Sequence, residues 1–201
     1  MREWHIKTGA MNHREQEILS AAAKIFRKKG YQRATIQDVA DEVGLLKGSI
    51  YYYIKSKQEL LYKIGIAPLK ATTDELKEIV SRDIPPEEKL KVAIKTRLRA
   101  FDKFYPEILV FLHEKFDELS EKERSFLKKG QKEDEELWRK ILSEGRERDV
   151  FRKDMDLKIT AQAIIGMCHW IYKWYKKDGR MTTDQIAEVF SEFALNGICK
   201  R

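Results

Sequence analysis

The sequence predicts an all-α protein of about nine helices, with a three-helix helix-turn-helix head at the N-terminus and a larger helical body behind it. Three observations predict this. Apolar residues recur at helical spacing almost throughout, and strand-like alternation is missing. Only ten glycines and four prolines punctuate 201 residues. The hydrophobic share of 42% can fill a core, and the charged share of 36%, above the usual quarter, suits the exposed faces of long helices.

The first helix should run from about Asn12 to Lys29 on the apolar set Ile18, Leu19, Ala22, Ala23, Ile25 and Phe26, and Gly30 stops it. Thr35 caps the second, with Asp38 three residues on, and Ile36, Val39, Ala40 and Val43 form its inner stripe before Gly44. A short third helix covers about Lys47 to Tyr53. Ser56 and Glu59 make a full capping box for a fourth, from Lys57 to about Val80, which Pro68 should kink or break near Ala67. Pro85-Pro86-Glu87 opens a fifth helix reaching about Tyr105, and a sixth covers roughly Glu107 to Phe116. Ser120 and Glu123 cap a seventh that extends to about Glu147. After a loop at 149–156 come two apolar helices, about Leu157 to Lys177 and Thr183 to Gly197. The expected division is a flexible arm at 1–11, a DNA-binding head at 12–56, and a ligand-binding and dimerisation body at 57–201.

Several chemistries are disfavoured. Cys168 and Cys199 have neither zinc spacing nor a disulfide framework. His113-Glu114 opens an H-E-x-x-H pattern, but Asp117 stands where the second histidine belongs. Nucleophile-elbow, Walker and dinucleotide glycine patterns are missing. Cys168 and His169 are neighbours and point about 100° apart on a helix, a poor nucleophile–base pair. No catalytic residue, metal ligand or cofactor is expected. No apolar run approaches membrane-spanning length, and MREWHIKTGAM lacks the apolar core of a signal peptide, so a cytoplasmic protein without a membrane partner is expected. The net charge of +7 fits nucleic acid, but also a lysine-rich solvated surface.

The segment 44–61, GLLKGSIYYYIKSKQELL, is more specific. Gly44 permits a sharp turn between helices. Gly48 lets the next helix approach a groove floor, while Lys47 and Ser49 can reach a base edge or a phosphate. Tyr51, Tyr52 and Tyr53 sweep about 300° of a helix, so they cannot all be core. Lys57 sits at a helix N-terminus, where backbone N–H groups also suit a phosphate. In combination, Thr35, Val39, Ala40, Gly44, Leu45, Gly48, Ser49, Ile50, Tyr51, Tyr53, Ser56, Lys57 and Leu60 resemble the DNA-binding head of the TetR family of bacterial repressors. The resemblance implies that Gln37 and Lys47 face base edges and Gly48 contacts a base or allows close approach. It also implies that Thr35, Ser49, Tyr51, Tyr53 and Lys57 hold phosphates, with Tyr52 in either role. Two positions depart: Leu46 replaces a capping Ser or Thr, at about 1 kcal/mol of lost capping, and Ile54 replaces an aromatic as a core swap.

The same resemblance implies a homodimer formed through the last two helices, a double-stranded operator as partner, and an inducer cavity among the middle helices. The residues permit the dimer independently. The penultimate helix has one apolar stripe of Ile159, Ala163, Gly166, Trp170 and Trp174 and another of Ile164, Cys168, Ile171 and Tyr175. Helices apolar on two faces need two partners. Ile171, Tyr175, Val189, Phe190 and Phe193 are the expected interface.

The stretches Phe151-Arg152, Asp154-Met155-Asp156 and Trp174-Tyr175 through Gly179-Arg180-Met181-Thr182 resemble members that sense acyl-CoA thioesters. A CoA thioester needs an apolar tunnel and cations for its phosphates. Phe101, Phe104, Tyr105, Phe111, Leu112, Phe116, Trp138 and Ile141 are tunnel candidates, with Gly166, His169 and Trp170 as wall residues and Arg97 and Lys173 as phosphate partners. A repressor of multidrug-type apolar ligands and a constitutive structural DNA binder are the alternatives, and an enzyme is the least favoured class.

Overall fold

A computed structural model describes residues 13–113, 116–176 and 178–200, with the side chains at 111–113 outside that description. The expected arm at 1–11 lies outside the described residues.

The chain folds into α1 (His13–Lys29), α2 (Ile36–Glu42), α3 (Lys47–Ile50), α4 (Lys57–Ser81), α5 (Pro86–Lys103), α6 (Glu107–His113), α7 (Glu121–Glu147), α8 (Leu157–Trp170) and α9 (Thr183–Ile198), with a 3-10 turn at Ile171–Lys173. The local signals act as expected at most ends. Gly30 and Gly44 take left-handed φ of 76° and 64°, which stops α1 and turns the chain after α2. Reciprocal capping boxes open α2 at Thr35 and α7 at Ser120. At α4 the box is only half formed: Ser56 caps Glu59 N, while the Glu59 carboxylate accepts from Lys55 N instead.

Three elements differ from their sequence-based expectation. α3 is one turn long, because its N-cap Leu46 supplies no side-chain bond and Tyr51, Tyr52 and Tyr53 continue through N–H bonds three residues back. α4 runs unbroken through Pro68, so the expected break does not occur. Pro68 is buried there, and Leu69 packs closely enough on α7 that a Cβ on Gly130 would come 2.9 Å from it. Tertiary packing over 25 residues outweighs one missing intrahelical bond. α8 ends at Trp170, seven residues early, and the 3-10 turn takes the chain away.

Two apolar clusters organise the molecule. The first joins α1, α2 and Ile50 of α3 to Leu60, Leu61, Ile64 and Leu69 of α4, and extends to Val110 and Leu127. Ile54 is 2% exposed within it, the core swap expected from the sequence. The second lies among α5, α7, α8 and α9, closed on one side by Leu76 and Ile79 of α4. α4 is therefore part of both cores, so the core of the head reaches well beyond residue 56.

The 149–156 loop is fixed at both ends. Phe151 is fully buried on Gly145, where a Cβ would fall 2.0 Å from its ring. Arg152 N donates to Ile198 O and Lys200 N to Val150 O, which ties the loop to the end of α9. Asp156 caps α8 through Lys158 N and Ile159 N. Much of the stretch from Phe151-Arg152 to Asp154-Met155-Asp156 is thus explained by loop packing and capping.

Candidate nucleic-acid interface and body site

The head presents a small polar and aromatic face. Thr35, Gln37, Lys47, Gly48, Tyr51 and Tyr52 are exposed and Ser49 is half-exposed, all near the α2–α3 turn or at the start of α2. Thr35 Oγ1 already accepts from Asp38 N at 3.1 Å, but its hydroxyl proton can still be donated. Gln37 Nε2 donates to Asp41 Oδ1 at 2.6 Å. A Cβ at Gly48 would meet nothing within 4 Å, so the surface there is open to close approach. Tyr53 is half-buried against the head core. Lys57 differs from the simple expectation. Its ammonium donates to Gln32 O at 3.2 Å and lies 4.2 Å over the Tyr31 ring, so it clasps α4 to the α1–α2 turn. Desolvation there lowers its pKa. No spacing or motif along the chain signals this clasp.

The body holds a buried polar cluster. Arg97 Nη2 of α5 donates to both carboxylate oxygens of Asp134 on α7, at 2.6 and 2.7 Å. Thr73 Oγ1 of α4 donates to the same Asp134 at 3.3 Å. The Arg97 guanidinium lies 5.7 Å from the Trp138 ring centre. Trp138 is fully buried, and its Nε1–H has no acceptor among the described residues. His169 keeps some accessible surface but sits deep beside this group. Burial, and then the Arg97 charge, pushes its pKa down to about 3. Cys168 is buried with its thiol pushed up to about 12, which makes it unreactive.

The neutral His169 has a testable consequence. The unfolded chain takes up a proton near pH 6.5, whereas the folded chain resists it down to about 3. Its contribution to stability is therefore present above pH 6.5 and lost as pH falls through that window. Thermal unfolding at pH 7 and pH 4.5 is expected to show a smaller acid-induced drop in His169→Phe than in wild type. Equal drops would mean that His169 is protonated in the fold.

The remaining body candidates separate. Phe101, Trp138 and Ile141 lie in the body core, with Phe104 packed against it. Phe111 and Leu112 are on α6, outside the described side chains. Arg97 is not available for a phosphate, because its charge is paired with Asp134 inside the protein. Tyr105 is exposed and accepts from Arg27 of α1, so it bridges head and body rather than lining a tunnel. Phe116 packs on Gly65 of α4 and against the head cluster. Lys173 is exposed, its ammonium 5.0 Å from the Tyr172 ring.

The two stripes of α8 are reversed from their assignment. Ile171, expected at an interface, is fully buried inside the protomer. Tyr175 turns its hydroxyl to Asp102 of α5 at 2.9 Å. Gly166 and Trp170, expected as ligand walls, stand on the exposed stripe with Ile159 and Ala163. Trp174, Val189 and Phe193 are also exposed, while Phe190 is half-buried with its ring edge-on to Trp174. A separate recess of about 730 Å³ between the 149–153 loop and the end of α9 is lined by Asp149, Arg152, Lys153 and Lys200. Among the described residues no cluster of potential metal ligands occurs, and no helix is long and apolar enough to cross a membrane.

Known proteins share this arrangement. Residues 18–64 match the family described as bacterial regulatory proteins, tetR family. Residues 83–198 match the description tetracyclin repressor-like, C-terminal domain. The HTH-type transcriptional repressor KstR2 of Mycobacterium tuberculosis (strain ATCC 25618 / H37Rv) is 26% identical over 192 residues, 96% of each chain. The solved structure of this ketosteroid transcriptional regulator matches with a TM-score of 0.88 at 26% identity, over 96% of this chain and 98% of that one. PfmR from Thermus thermophilus matches with a TM-score of 0.81 at 30% identity, over 89% of this chain and 97% of that one. AibR, solved with isovaleryl coenzyme A and operator DNA, matches with a TM-score of 0.76 at 25% identity, over 90% of this chain and 97% of that one. Since the C-terminal match alone spans more than half of the chain and the N-terminal match contains the recognition helix, the protein belongs to the TetR family of helix-turn-helix transcriptional regulators, which bind operator DNA and are not enzymes.

Proposed function

We propose that the protein is a cytoplasmic homodimeric repressor released from a palindromic operator by an acyl-CoA thioester. In this reading the segment up to residue 56 reads DNA and the segment from 57 binds ligand and dimerises. The observation that carries the ligand reading is the buried polar cluster in the body. A buried indole N–H without an acceptor costs about 1–3 kcal/mol. A ligand carbonyl reaching Trp138 would recover that cost, and the apolar side chains of Phe101 and Ile141 would hold an acyl chain. AibR, solved with isovaleryl coenzyme A, supports the same ligand class. With Arg97 paired, Lys173 is the cation of the expected set left for phosphate.

Thr73 offers a route from ligand to DNA. It bonds the polar cluster from α4, whose first turns belong to the head core. Ligand that moves Asp134 would therefore move the helix carrying the head. By linkage, DNA must weaken ligand binding by the factor with which ligand weakens DNA binding.

Titration of an operator duplex with and without acyl-CoA tests the reading, with mass spectrometry of co-purified ligand to identify the acyl group. Release of DNA with the thioester recovered intact is the expected result. Unchanged DNA affinity at saturating thioester would favour a constitutive binder, and release by unrelated apolar compounds but not by thioesters would favour a multidrug-type sensor. In the same assay Lys47→Ala is expected to relax preference at one position of each half-site, at about 1–3 kcal/mol of lost discrimination. A uniform loss over all sequences would instead make Lys47 a phosphate contact.

A further inference from the structure

We infer that Leu46 is a sequence-reading residue, one that packs against the 5-methyl group of a thymine in the major groove of each operator half-site. The inference starts from a local anomaly. Residue 46 is the N-cap of α3, with extended backbone at φ −69° and ψ 143° and its carbonyl accepting from Ser49 N at 2.9 Å. At the corresponding position of α2, α4, α7, α8 and α9 the chain places Thr35, Ser56, Ser120, Asp156 and Thr182, each with a side-chain oxygen bonded to the first turn. Leucine cannot supply that bond, so α3 begins without a side-chain cap.

Burial does not explain the leucine either. Leu46 is 80% exposed, and among the large apolar side chains described only Tyr52, at 89%, is more exposed. The other strongly exposed apolar side chains include Phe193, Ile159 and Trp170, which lie on α8 and α9, far along the chain from this turn. A leucine that neither caps nor packs within its own protomer has no stabilising role in the free head. Its neighbours define the surroundings in which it would gain one. Lys47 and Gly48 follow directly, both exposed, on the short helix that enters the major groove.

The chemistry then selects the contact. A leucyl side chain has no donor or acceptor for a phosphate or a base edge. The apolar feature presented in the major groove is the thymine methyl, and apolar side chains pair with it. The contact removes both hydrocarbon surfaces from water. Gln37 and Lys47 carry polar ends suited to hydrogen-bonding edges, so the wholly apolar Leu46 is the better match for the methyl.

The test removes the methyl and leaves the base pair intact. An operator is selected from random duplexes with the full-length protein, and each thymine of a half-site is replaced in turn by deoxyuridine. Wild type is expected to lose roughly fourfold affinity per half-site at one thymine, the effect of one buried methyl-sized group. Leu46→Ala is expected to bind the thymine and deoxyuridine duplexes equally. Leu46→Ser restores a capping oxygen, so it separates helix stability from reading: it should also be blind to the methyl while folding at least as well. Two results would overturn the proposal. One is a wild-type protein insensitive to every deoxyuridine; the other is sensitivity that persists unchanged in both variants, which would assign the methyl to a different residue.

Discussion

If the protein is the proposed homodimer, Phe193→Asp is expected to convert it to a monomer and to lower operator affinity by about 10²–10⁴-fold, the avidity lost when two linked heads become one. Phe193 is 74% exposed on α9, one turn beyond the exposed Val189. α8 likewise exposes Ile159, Ala163, Gly166 and Trp170 at helical spacing. A stripe of this size facing water is what an unpaired protomer would show, and a second copy offers the same surface in return. A carboxylate buried in the middle of such an interface would be taken out of water without a partner. Phe193 is a cleaner probe than Phe190, which already packs edge-on with Trp174 within the protomer. Sedimentation velocity and operator titration would be run together, with Phe193→Leu as the control that should remain dimeric. A wild-type protein that sediments as a monomer at micromolar concentration would remove the basis of the dimer, and with it the expectation of a palindromic site.

The second large effect is expected in the body. Arg97→Met leaves the Asp134 carboxylate, 5% exposed, without its cationic partner and bonded only by Thr73 among the described contacts. Breaking a buried pair from one side typically costs about 3–5 kcal/mol, because the remaining charge cannot be hydrated. Asp134→Leu should cost a similar amount for the mirror reason. The double variant Arg97→Met/Asp134→Leu should recover most of the loss, since it leaves no orphaned charge. Denaturant unfolding of the three variants and wild type gives the coupling directly. If the two single losses simply add in the double variant, Arg97 and Asp134 do not act as a pair. The same series reports on signalling. The double variant removes the Thr73–Asp134 bond between α4 and α7, so its operator release by ligand should be weaker than that of wild type even where its stability is restored.

Helix ends and the head are legible in the order of residues, because short-range effects set them. Glycines at 30 and 44 take left-handed backbone, and oxygen-bearing residues at 35, 56, 120, 156 and 182 bond the first turns they precede. The head is legible for the same reason: its reading surface is compressed into about twenty residues, where spacing along the chain is almost spacing in space. In the body, periodicity reveals two apolar stripes on α8 but not their directions. Both stripes satisfy the same helical period, and only the elements lying across from each stripe decide which one is core. With Asp102 of α5 bonding Tyr175 and the body core enclosing Ile171, the second stripe turns inward and leaves Gly166 and Trp170 outside. Arg97 looks like a free cation in the sequence for a related reason, because Asp134, 37 residues away, neutralises it only in the fold. Pro68 is the opposite case: a strong local signal outweighed by α4 packing against two cores at once. Local rules set where helices start and stop, while long-range packing decides which faces meet, which charges are paired and which apolar surface stays exposed.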